Sequence, residues 1–431
     1  MAGAGGILAG GSLFPKLVAA AGDQAKAQGR HCVILWMSGG PSQIDTFDLK
    51  PNHVNGGPFS EIATSAPGLR FSEHLPKLAK QADQLAVLRG MSTKEGDHQR
   101  GTTLMRTGHV QGGPVAYPAI GCSLSKSLAN PDCKLPGYVT ITPGALSAGS
   151  LKPGFLGPRY AATTVRASAT NSATGILERI TGNGFADLRV DHLQSDVPVN
   201  SARYQTRLEL WESMQRSFLR ERSAQNVITQ DTVYRAAIEM LGSEAKDAFD
   251  LSREPDEVRE AYGQGTFGQG CLMARRLIER GVPIVEVTLG DGLGWDTHAE
   301  NFDRVKELSA QLDAGWSTLM TELSERGLLE TTTLLWAGEF GRTPQINTNN
   351  GRDHFPQAFT TVLGGAGIAG GQAYGATGDD GMEVVDGKLN QQDLLATLCS
   401  ALGVDPMTEN IAEGGRPIAI AEGDVIDKVL T

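Results

Sequence analysis

The sequence predicts an α/β fold in which helices cover both faces of a mostly parallel sheet, that is, a three-layer sandwich. Short apolar runs that end in glycine-rich loops alternate with segments of helical spacing. Such alternation is typical of parallel sheets that are buried on both faces. The 431 residues are 40% hydrophobic and 20% charged, a composition that supports a large core and is too apolar for a disordered chain.

Six apolar runs are predicted to be strands of this sheet. The first, HCVILWMS, is followed at once by Gly39-Gly40-Pro41, as expected for a buried parallel strand that ends in a loop. The six runs cover residues 31–38, 85–88, 138–141, 283–289, 331–337 and 358–363.

Three segments outside the middle of the chain have helical spacing. Residues 270–280 end before Gly281, residues 302–323 carry one apolar stripe, and residues 393–402 follow Asn390, a plausible N-cap. Residues 160–260 are polar and rich in Arg, Glu, Gln and Ala, which predicts a helical insertion or cap. We therefore expect one domain over residues 30–431, preceded by an export-signal remnant and linker at 1–29.

The N-terminal stretch MAGAGGILAGGSLFPKLVAAA is glycine- and alanine-rich, mildly apolar and free of acids. It ends in small residues, as signal peptidase sites do, and it is too weakly apolar to span a membrane. These features favour export to the periplasm or cell envelope through a twin-arginine signal whose arginines lie upstream. The alternative is a flexible cytoplasmic N-terminus.

The formal net charge of −11 argues against nucleic-acid binding through a general positive field. It leaves room for a local basic pocket that takes a small anion. The five cysteines include no CxxC pair, so no zinc knuckle or redox motif is expected. Cys122 and Cys133 could form a disulfide in an oxidising compartment, or both could be free thiols.

Acidic and histidine side chains flank four of the predicted strands. In α/β sheets ligands bind at the carboxyl ends of the strands, and mixed carboxylate and imidazole sets suit divalent cations such as zinc or manganese, with calcium as a further option. The candidate ligands are Asp45 after the first strand, Asp296 and His298 after residues 283–289, Glu339 after residues 331–337, and Asp353 and His354 before residues 358–363.

Each of these residues also has an ordinary structural interpretation. A single aspartate in a glycine-rich loop is more often a turn former or a helix cap, and Asp353-His354 could be a polar turn after Gly351. Their recurrence beside strand ends favours a metal or anion site. Arg342 follows residues 331–337 and Arg352 precedes residues 358–363. Each could hold the oxygens of an anion or serve as a salt-bridge partner.

Several motifs closely resemble the bacterial domain-of-unknown-function 1501 family over about residues 30–405. The motifs are GGPSQIDTFD with KPN, GWDTHAENF, RGLLETTTLLWAGEFGRTP, and GRDHFP followed by a GGAG turn. That family is regarded as a distant relative of sulfatases and alkaline phosphatases and has no established general activity. The resemblance implies an alkaline-phosphatase-like fold.

The same resemblance suggests roles for individual residues. Asp45 would be the metal-binding aspartate of the first strand, and Asp296 and His298 would hold the cation that carries the water. Glu339 would stand for the aspartate of a later Asp-His motif, in which Phe340 replaces the histidine. The stretch HQRGTTLMRTG is similar to the sulfatase nucleophile signature and places His98 in the nucleophile position. His98 could instead be a metal ligand, or the covalent chemistry could have been lost.

Two functions from different classes follow. The first is a metal-dependent hydrolase of phosphate or sulfate esters that acts on a small anionic ester or on a sulfated or phosphorylated glycan. One cation would be held by Asp296, His298 and His354, and a second by Asp45 and Glu339, with His98 as a further ligand option. The alternative is a non-catalytic exported protein that binds metal or glycan on the same fold; a purely structural envelope protein would bind no metal.

Overall fold

The computed structural model describes residues 29–130, 132–144, 149–168, 184–191, 193, 201–221, 225–241, 243–290 and 292–431. Residues 1–28, which carry the export prediction, lie outside this part of the chain. The division into a signal remnant and one domain therefore stays a prediction.

Seventeen strands are described: β1 (His31–Met37), β2 (Glu61–Ala63), β3 (Arg70–Ser72), β4 (Leu85–Met91), β5 (Tyr138–Ile141), β6 (Thr163–Ala167), β7 (Leu188–Val190), β8 (Ile284–Leu289), β9 (Thr332–Ala337), β10 (Gly341–Arg342), β11 (His354–Phe355), β12 (Phe359–Gly365), β13 (Gln372–Tyr374), β14 (Ala376–Thr377), β15 (Val384–Asp386), β16 (Glu409–Ile411) and β17 (Pro417–Ala419). The α-helices of the described ranges are α1 (His98–Thr107), α2 (Ile120–Ser127), α3 (Ala202–Glu221), α4 (Gln225–Leu241), α5 (Asp256–Tyr262), α6 (Thr266–Glu279), α7 (Asn301–Glu325) and α8 (Gln391–Ala401).

Nine of the strands form one central sheet in the order β13-β4-β12-β9-β1-β8-β5-β6-β7. Five strand pairs are parallel and three are antiparallel. The mostly parallel sheet predicted from the sequence is thus confirmed, and each of the six predicted strands lies in it.

Alternate side chains of β1 enter two separate cores because successive residues of a strand point to opposite faces. Val33, Leu35 and Met37 belong to the core that contains residues of α6 and α7. Cys32, Ile34 and Trp36 belong to the core that contains residues of α2 and α8. The whole of β1 is buried, which explains its continuous apolar sequence and confirms the three-layer sandwich.

The middle of the chain is only partly helical. Helices α3 and α4 occupy much of the segment predicted as a helical insertion, but β6 and β7 also lie there and extend the edge of the sheet. The run TTVRA of β6 has one buried residue among five, so it lacks the long apolar pattern by which the other strands were recognised.

The direction of β12 decides where the site is assembled. This strand runs antiparallel to both of its neighbours, β4 and β9. Its first residues therefore lie at the same edge of the sheet as the carboxyl ends of β1, β8 and β9. The segment before β12 meets the loops that follow those three strands, although a parallel β12 would have placed it at the opposite edge.

Two further sequence predictions concern membrane spans and cysteines. Among the described helices, none is both long enough and apolar enough to cross a bilayer. Cys122 and Cys133 are free thiols; their sulfur atoms lie against different carbonyl groups, those of Leu151 and Arg280. The disulfide considered for this pair is not formed.

Candidate metal centre

Glycines bring three loops together at the carboxyl edge of the sheet. Gly39 and Gly40 follow β1 with φ of 111° and 77°, in the region that favours glycine. A Cβ on Gly39 would lie 2.5 Å from the backbone nitrogen of Asp296, and one on Gly351 would lie 2.0 Å from the carbonyl oxygen of His298. The loops after β1 and β8 and the segment before β12 can approach this closely only because these positions lack side chains.

Three imidazole rings and one carboxylate converge where these loops meet. Ligand atoms of His98, Asp296 and His354 all lie within 4.8 Å of one another. The Nε2 of His354 is 3.2 Å from Asp296 Oδ1, and the Nε2 of His98 is 3.3 Å from Asp296 Oδ2. His298 completes the group, with its Nε2 3.0 Å from the Nε2 of His354 and 3.1 Å from Asp296 Oδ1.

The other nitrogen of each ring is held by an oxygen outside the group. The Nδ1 of His98 lies 2.7 Å from Glu339 Oε1, and that of His298 lies 2.7 Å from Asp353 Oδ1. The Nδ1 of His354 lies 2.7 Å from the carbonyl oxygen of Gly96. Carboxylate and carbonyl oxygens accept hydrogen bonds, so each neutral ring carries its proton on Nδ1 and presents a lone pair at Nε2.

This arrangement leaves acceptors facing one another. Three Nε2 lone pairs and the Asp296 carboxylate share one small volume, and in the neutral ring the buried Nε2 of His98, 3.3 Å from Asp296 Oδ2, finds no donor. Buried polar atoms are normally paired, and metal-binding histidines commonly donate their second nitrogen to a carboxylate or carbonyl. His98, Asp296 and His354 therefore fit a divalent cation, and His298 lies beside them.

The charges of the group shift its pKa values in opposite directions. Burial alone would lower the pKa of His98, but hydrogen bonds to Asp296 and Glu339 and their charges raise it to about 9. Burial would raise the pKa of Asp296, but hydrogen bonds with His354 and His98 and the charge of Arg342 hold it well below its usual range. Without a cation, a proton on His98 therefore balances the Asp296 charge at neutral pH.

Arg342 lies behind the cluster and is engaged within the protein. Its guanidinium is fully buried and lies 2.7 Å from Asp296 Oδ1. It also donates to the carbonyl oxygens of Gly39, Gly40 and Arg352. The structure places Arg342 as a tether between the loop after β1 and Asp296, where it stabilises the carboxylate instead of facing an incoming anion.

Asp45 and Arg352 do not join the cluster. Both side chains have no exposed surface, and Arg352 donates to both carboxylate oxygens of Asp45 at 2.8 and 3.0 Å. Asn301 donates to Asp45 as well, and Arg352 also donates to the carbonyl oxygen of Asn55. The predicted second cation, which needed Asp45 with Glu339, does not match this geometry, because the charge of Asp45 is already neutralised by Arg352.

A buried ion pair that was not recognised in the sequence positions α1. Arg106, near the C-terminal end of α1, pairs with Glu286 of β8, and its guanidinium lies 4.1 Å from the ring centre of Trp36. The hydroxyl of Tyr138 donates to Glu286 at 3.0 Å. This network anchors the helix that begins at His98. The signal for it was an acid inside the apolar run PIVEVTL.

The chain belongs to the family described as "Protein of unknown function (DUF1501)". The family profile matches residues 29–430. This confirms the resemblance seen in the motifs. No curated protein matches the sequence significantly.

Solved structures that are similar to the chain include three hydrolases. A sulfatase from Pseudoalteromonas sp. (PsFucS1) has 11% identity and a TM-score of 0.40, with 91% of this chain and 72% of that one covered. The phosphonate monoester hydrolase of Silicibacter pomeroyi has 10% identity and a TM-score of 0.36, with 92% of this chain and 76% of that one covered. The alkaline phosphatase of the Antarctic bacterium TAB5 has 11% identity and a TM-score of 0.35, with 82% of this chain and 96% of that one covered. Similarity at this level assigns no activity.

Proposed function

We propose that the chain is a metal-dependent hydrolase of phosphate or sulfate esters, centred on His98, Asp296, His298 and His354. One observation carries this proposal. Three imidazoles, each with its Nδ1 held by an outer oxygen, direct Nε2 towards a single carboxylate. In the metal-free protein a proton on His98 balances this set, and a cation that displaces the proton would balance it as well.

The donor types narrow the choice of cation. Imidazole nitrogens suit zinc and other transition metals, whereas calcium takes oxygen ligands. Three histidines and one aspartate therefore favour zinc, with manganese second, over calcium. When bound, such a cation would act as a Lewis acid and lower the pKa of a coordinated water.

The side chains of the site have distinct tasks in this proposal. Glu339, Asp353 and the Gly96 carbonyl orient the three rings, and Arg342 fixes Asp296. His298 and Asp353 are the open side of the group, with 47% and 54% of their side chains exposed, so an ester would approach from there. His98 acts as a ligand in this proposal, because its Nδ1 is held by Glu339 and its Nε2 faces Asp296.

A non-catalytic metal-binding protein is the second candidate. It is favoured because Arg342 and Arg352, which were predicted to bind an anion, both donate hydrogen bonds to groups inside the protein. An ester hydrolase would then rely on the cation itself to attract the anion. The two candidates share the metal centre and differ in turnover.

Elemental analysis of purified protein, with an ester screen, tests both candidates. Aryl phosphates, phosphodiesters and aryl sulfates would be offered to protein loaded with zinc or manganese. We expect one bound cation per chain and turnover of at least one ester class. Bound metal without turnover would favour the binding protein, and protein that takes up no metal would exclude both.

His98→Ala provides the matched variant for that screen. Loss of a ligand should lower metal content and turnover together, with little change in the folded fraction. His74→Ala is the control, because His74 packs against Phe59 away from the cluster. Equal metal content in His98→Ala and the unmodified chain would contradict the assignment of His98.

We also propose that the protein works in the bacterial cell envelope after twin-arginine export. The glycine- and alanine-rich stretch at residues 1–21 supports this location. Fractionation of cells with and without a functional twin-arginine translocase would test it. Unchanged recovery of the protein in the cytoplasm in both strains would contradict it.

A further inference from the structure

The loop that connects β10 to β11 has the sequence TPQINTNNGRD. It joins two residues of the candidate metal centre, because Arg342 and His354 are partners in the β10–β11 pair. Its three asparagines are typical turn residues, but their surroundings differ. Asn349 and Asn350 are exposed, whereas Asn347 is half-buried.

The amide side chain of Asn347 uses all of its hydrogen-bonding groups. Its Nδ2 donates to the carbonyl oxygen of His298 at 3.0 Å and to Asp353 Oδ1 at 3.2 Å. Its Oδ1 accepts from the backbone amides of Asn349 and Gly351, each at 2.9 Å. An amide has two N–H donors and an oxygen with two lone pairs, so these four partners satisfy it. A rotated amide would place donors against donors and acceptors against acceptors, which fixes its orientation.

The two ends of the Asn347 amide have different roles. Its Oδ1 bonds to residues of its own loop and stabilises the turn. Its Nδ2 reaches the candidate metal centre, because Asp353 Oδ1 is the atom that lies 2.7 Å from the Nδ1 of His298. Asn347 thus contacts both the carboxylate that orients the His298 ring and the backbone that carries this ring.

Asp353 is too exposed for its contact with His298 alone to fix its carboxylate. Its side chain is 54% exposed, and water competes for the oxygens of exposed carboxylates. A second hydrogen bond to the same oxygen, from the half-buried amide of Asn347, favours the rotamer that faces His298. The position of the His298 ring therefore depends on Asn347 through Asp353.

The backbones around this contact are held in an unfavourable conformation. Asn350 and Glu300 have φ of 55° and 50°, in the left-handed region that residues other than glycine seldom adopt. The amide of Asn301 donates to the carbonyl oxygen of Asn350 at 3.0 Å. Such conformations persist where the surrounding contacts hold them. The loop of Asn347 and the segment after His298 are therefore fixed against each other.

We propose that Asn347 is a positioning residue of the metal centre. It holds the Asp353 carboxylate against the His298 ring and so keeps the Nε2 of His298 next to Asp296 and His354. This proposal rests on the proposed function, because the bound cation gains from this arrangement. The effect of Asn347 on the cation passes through Asp353 and His298.

Zinc affinity in a double-mutant cycle on the full-length chain tests this route, with a chromogenic chelator as competitor. Asn347→Ala should weaken zinc binding about tenfold, the lower end of the range for groups outside the ligands. Asp353→Ala should weaken it at least as much. Because Asn347 acts through Asp353, the variant with both changes should lose less than the product of the two single losses. Asn349→Ala is the matched control, since the described contacts of Asn349 are made by its backbone.

A second measurement does not depend on the metal. Nitrogen NMR of the metal-free chain, labelled at histidine, distinguishes the Nδ1–H form of a neutral ring from the Nε2–H form. The signal of His298 is the one that is absent from His298→Gln. We expect the Nδ1–H form in the unmodified chain and in Asn349→Ala, and a larger share of the Nε2–H form in Asn347→Ala. Circular dichroism would check that each variant is folded.

The proposal is overturned if the His298 signal of Asn347→Ala equals that of Asn349→Ala. It is also overturned if the two single losses of zinc affinity multiply in the double variant, as they would for an independent effect on the loop. A chain that binds no zinc, but in which Asn347→Ala still changes the His298 signal, would refute the proposed function and support the positioning of His298 by Asn347.

Discussion

Two aspartates that the sequence analysis treated alike, Asp45 and Asp296, lie in opposite electrostatic environments. Asp45 has no exposed surface, and a guanidinium occupies both of its oxygens. Asp296 is 22% exposed and meets one guanidinium at one oxygen, while three imidazole nitrogens lie within 3.3 Å. The charge of Asp45 is neutralised by Arg352. Asp296 instead faces imidazole nitrogens that, like its own oxygens, accept hydrogen bonds.

The difference separates a structural ion pair from a ligand site. A buried carboxylate that is paired with arginine gains nothing from a cation, which would have to displace the arginine. A carboxylate among unprotonated imidazole nitrogens gains from a cation or a proton. The number of unmatched lone pairs around a carboxylate is thus more informative than its position at a strand end.

The largest expected effect concerns the buried ion pair of Asp45 and Arg352. Asp45→Ala leaves the charge of Arg352 buried without its carboxylate partner, which should lower the free energy of unfolding by about 3–5 kcal/mol. Urea denaturation followed by circular dichroism would measure this loss. The metal content per folded molecule should stay the same. If Asp45→Ala lost metal but kept its stability, Asp45 would be a metal ligand and not a member of a structural ion pair.

The carboxylates of Asp353 and Glu339, which hold the Nδ1 atoms of His298 and His98, should have a smaller effect. This effect is on metal affinity and not on stability. Asp353→Asn weakens the acceptor that holds His298, and Glu339→Gln does the same for His98. Outer partners of metal-bound histidines typically contribute about 10–100-fold to affinity. Competition with a chromogenic chelator would measure the change. Asp83→Asn, on a residue that bonds Ser65 and not the cluster, is the control; equal affinities in all variants would contradict the outer role.

Much of the fold was predictable because its signals are local. A fully buried strand such as β1 is a continuous apolar run, and Asn390 caps the start of α8 in a complete capping box. The strand-end rule also brought Asp296, His298 and His354 into one group. It succeeded for His354 only because β12 runs antiparallel, a feature of sheet order that no local pattern contains.

The remaining features depend on contacts between distant residues. Asp45 and Arg352 are 307 positions apart, and nothing in either motif shows that they pair. Glu339 and Asp353 have the chemistry of ligands, and distances alone reveal that they hold imidazoles. His98 was found through a resemblance, since one histidine at a helix start is no signal by itself. Glu286 could have been noticed, because an acid inside a buried strand needs a partner.

The smallest expected effect, taken per pH unit, is a pH dependence of metal affinity. In the metal-free protein the carboxylates around His98 raise its pKa to about 9, from about 6.5 in an unfolded chain. Its protonated form therefore stabilises the metal-free fold fully below about pH 6.5, and this stabilisation is lost as the pH rises through 9. A cation must displace that proton. Between pH 7 and 9 the apparent affinity should rise by up to about tenfold per pH unit, since one proton is released, and it should level off above 9.

Titration with zinc across this range, in buffers that do not bind zinc, measures the slope. Glu339→Gln removes one of the charges that raise the pKa of His98, so the plateau should begin at a lower pH. An affinity that does not change between pH 7 and 9 would mean that no proton leaves His98 when the cation binds. The charge of Asp296 would then already be balanced within the protein, as that of Asp45 is. Hydrogen bonds would balance it instead of a guanidinium.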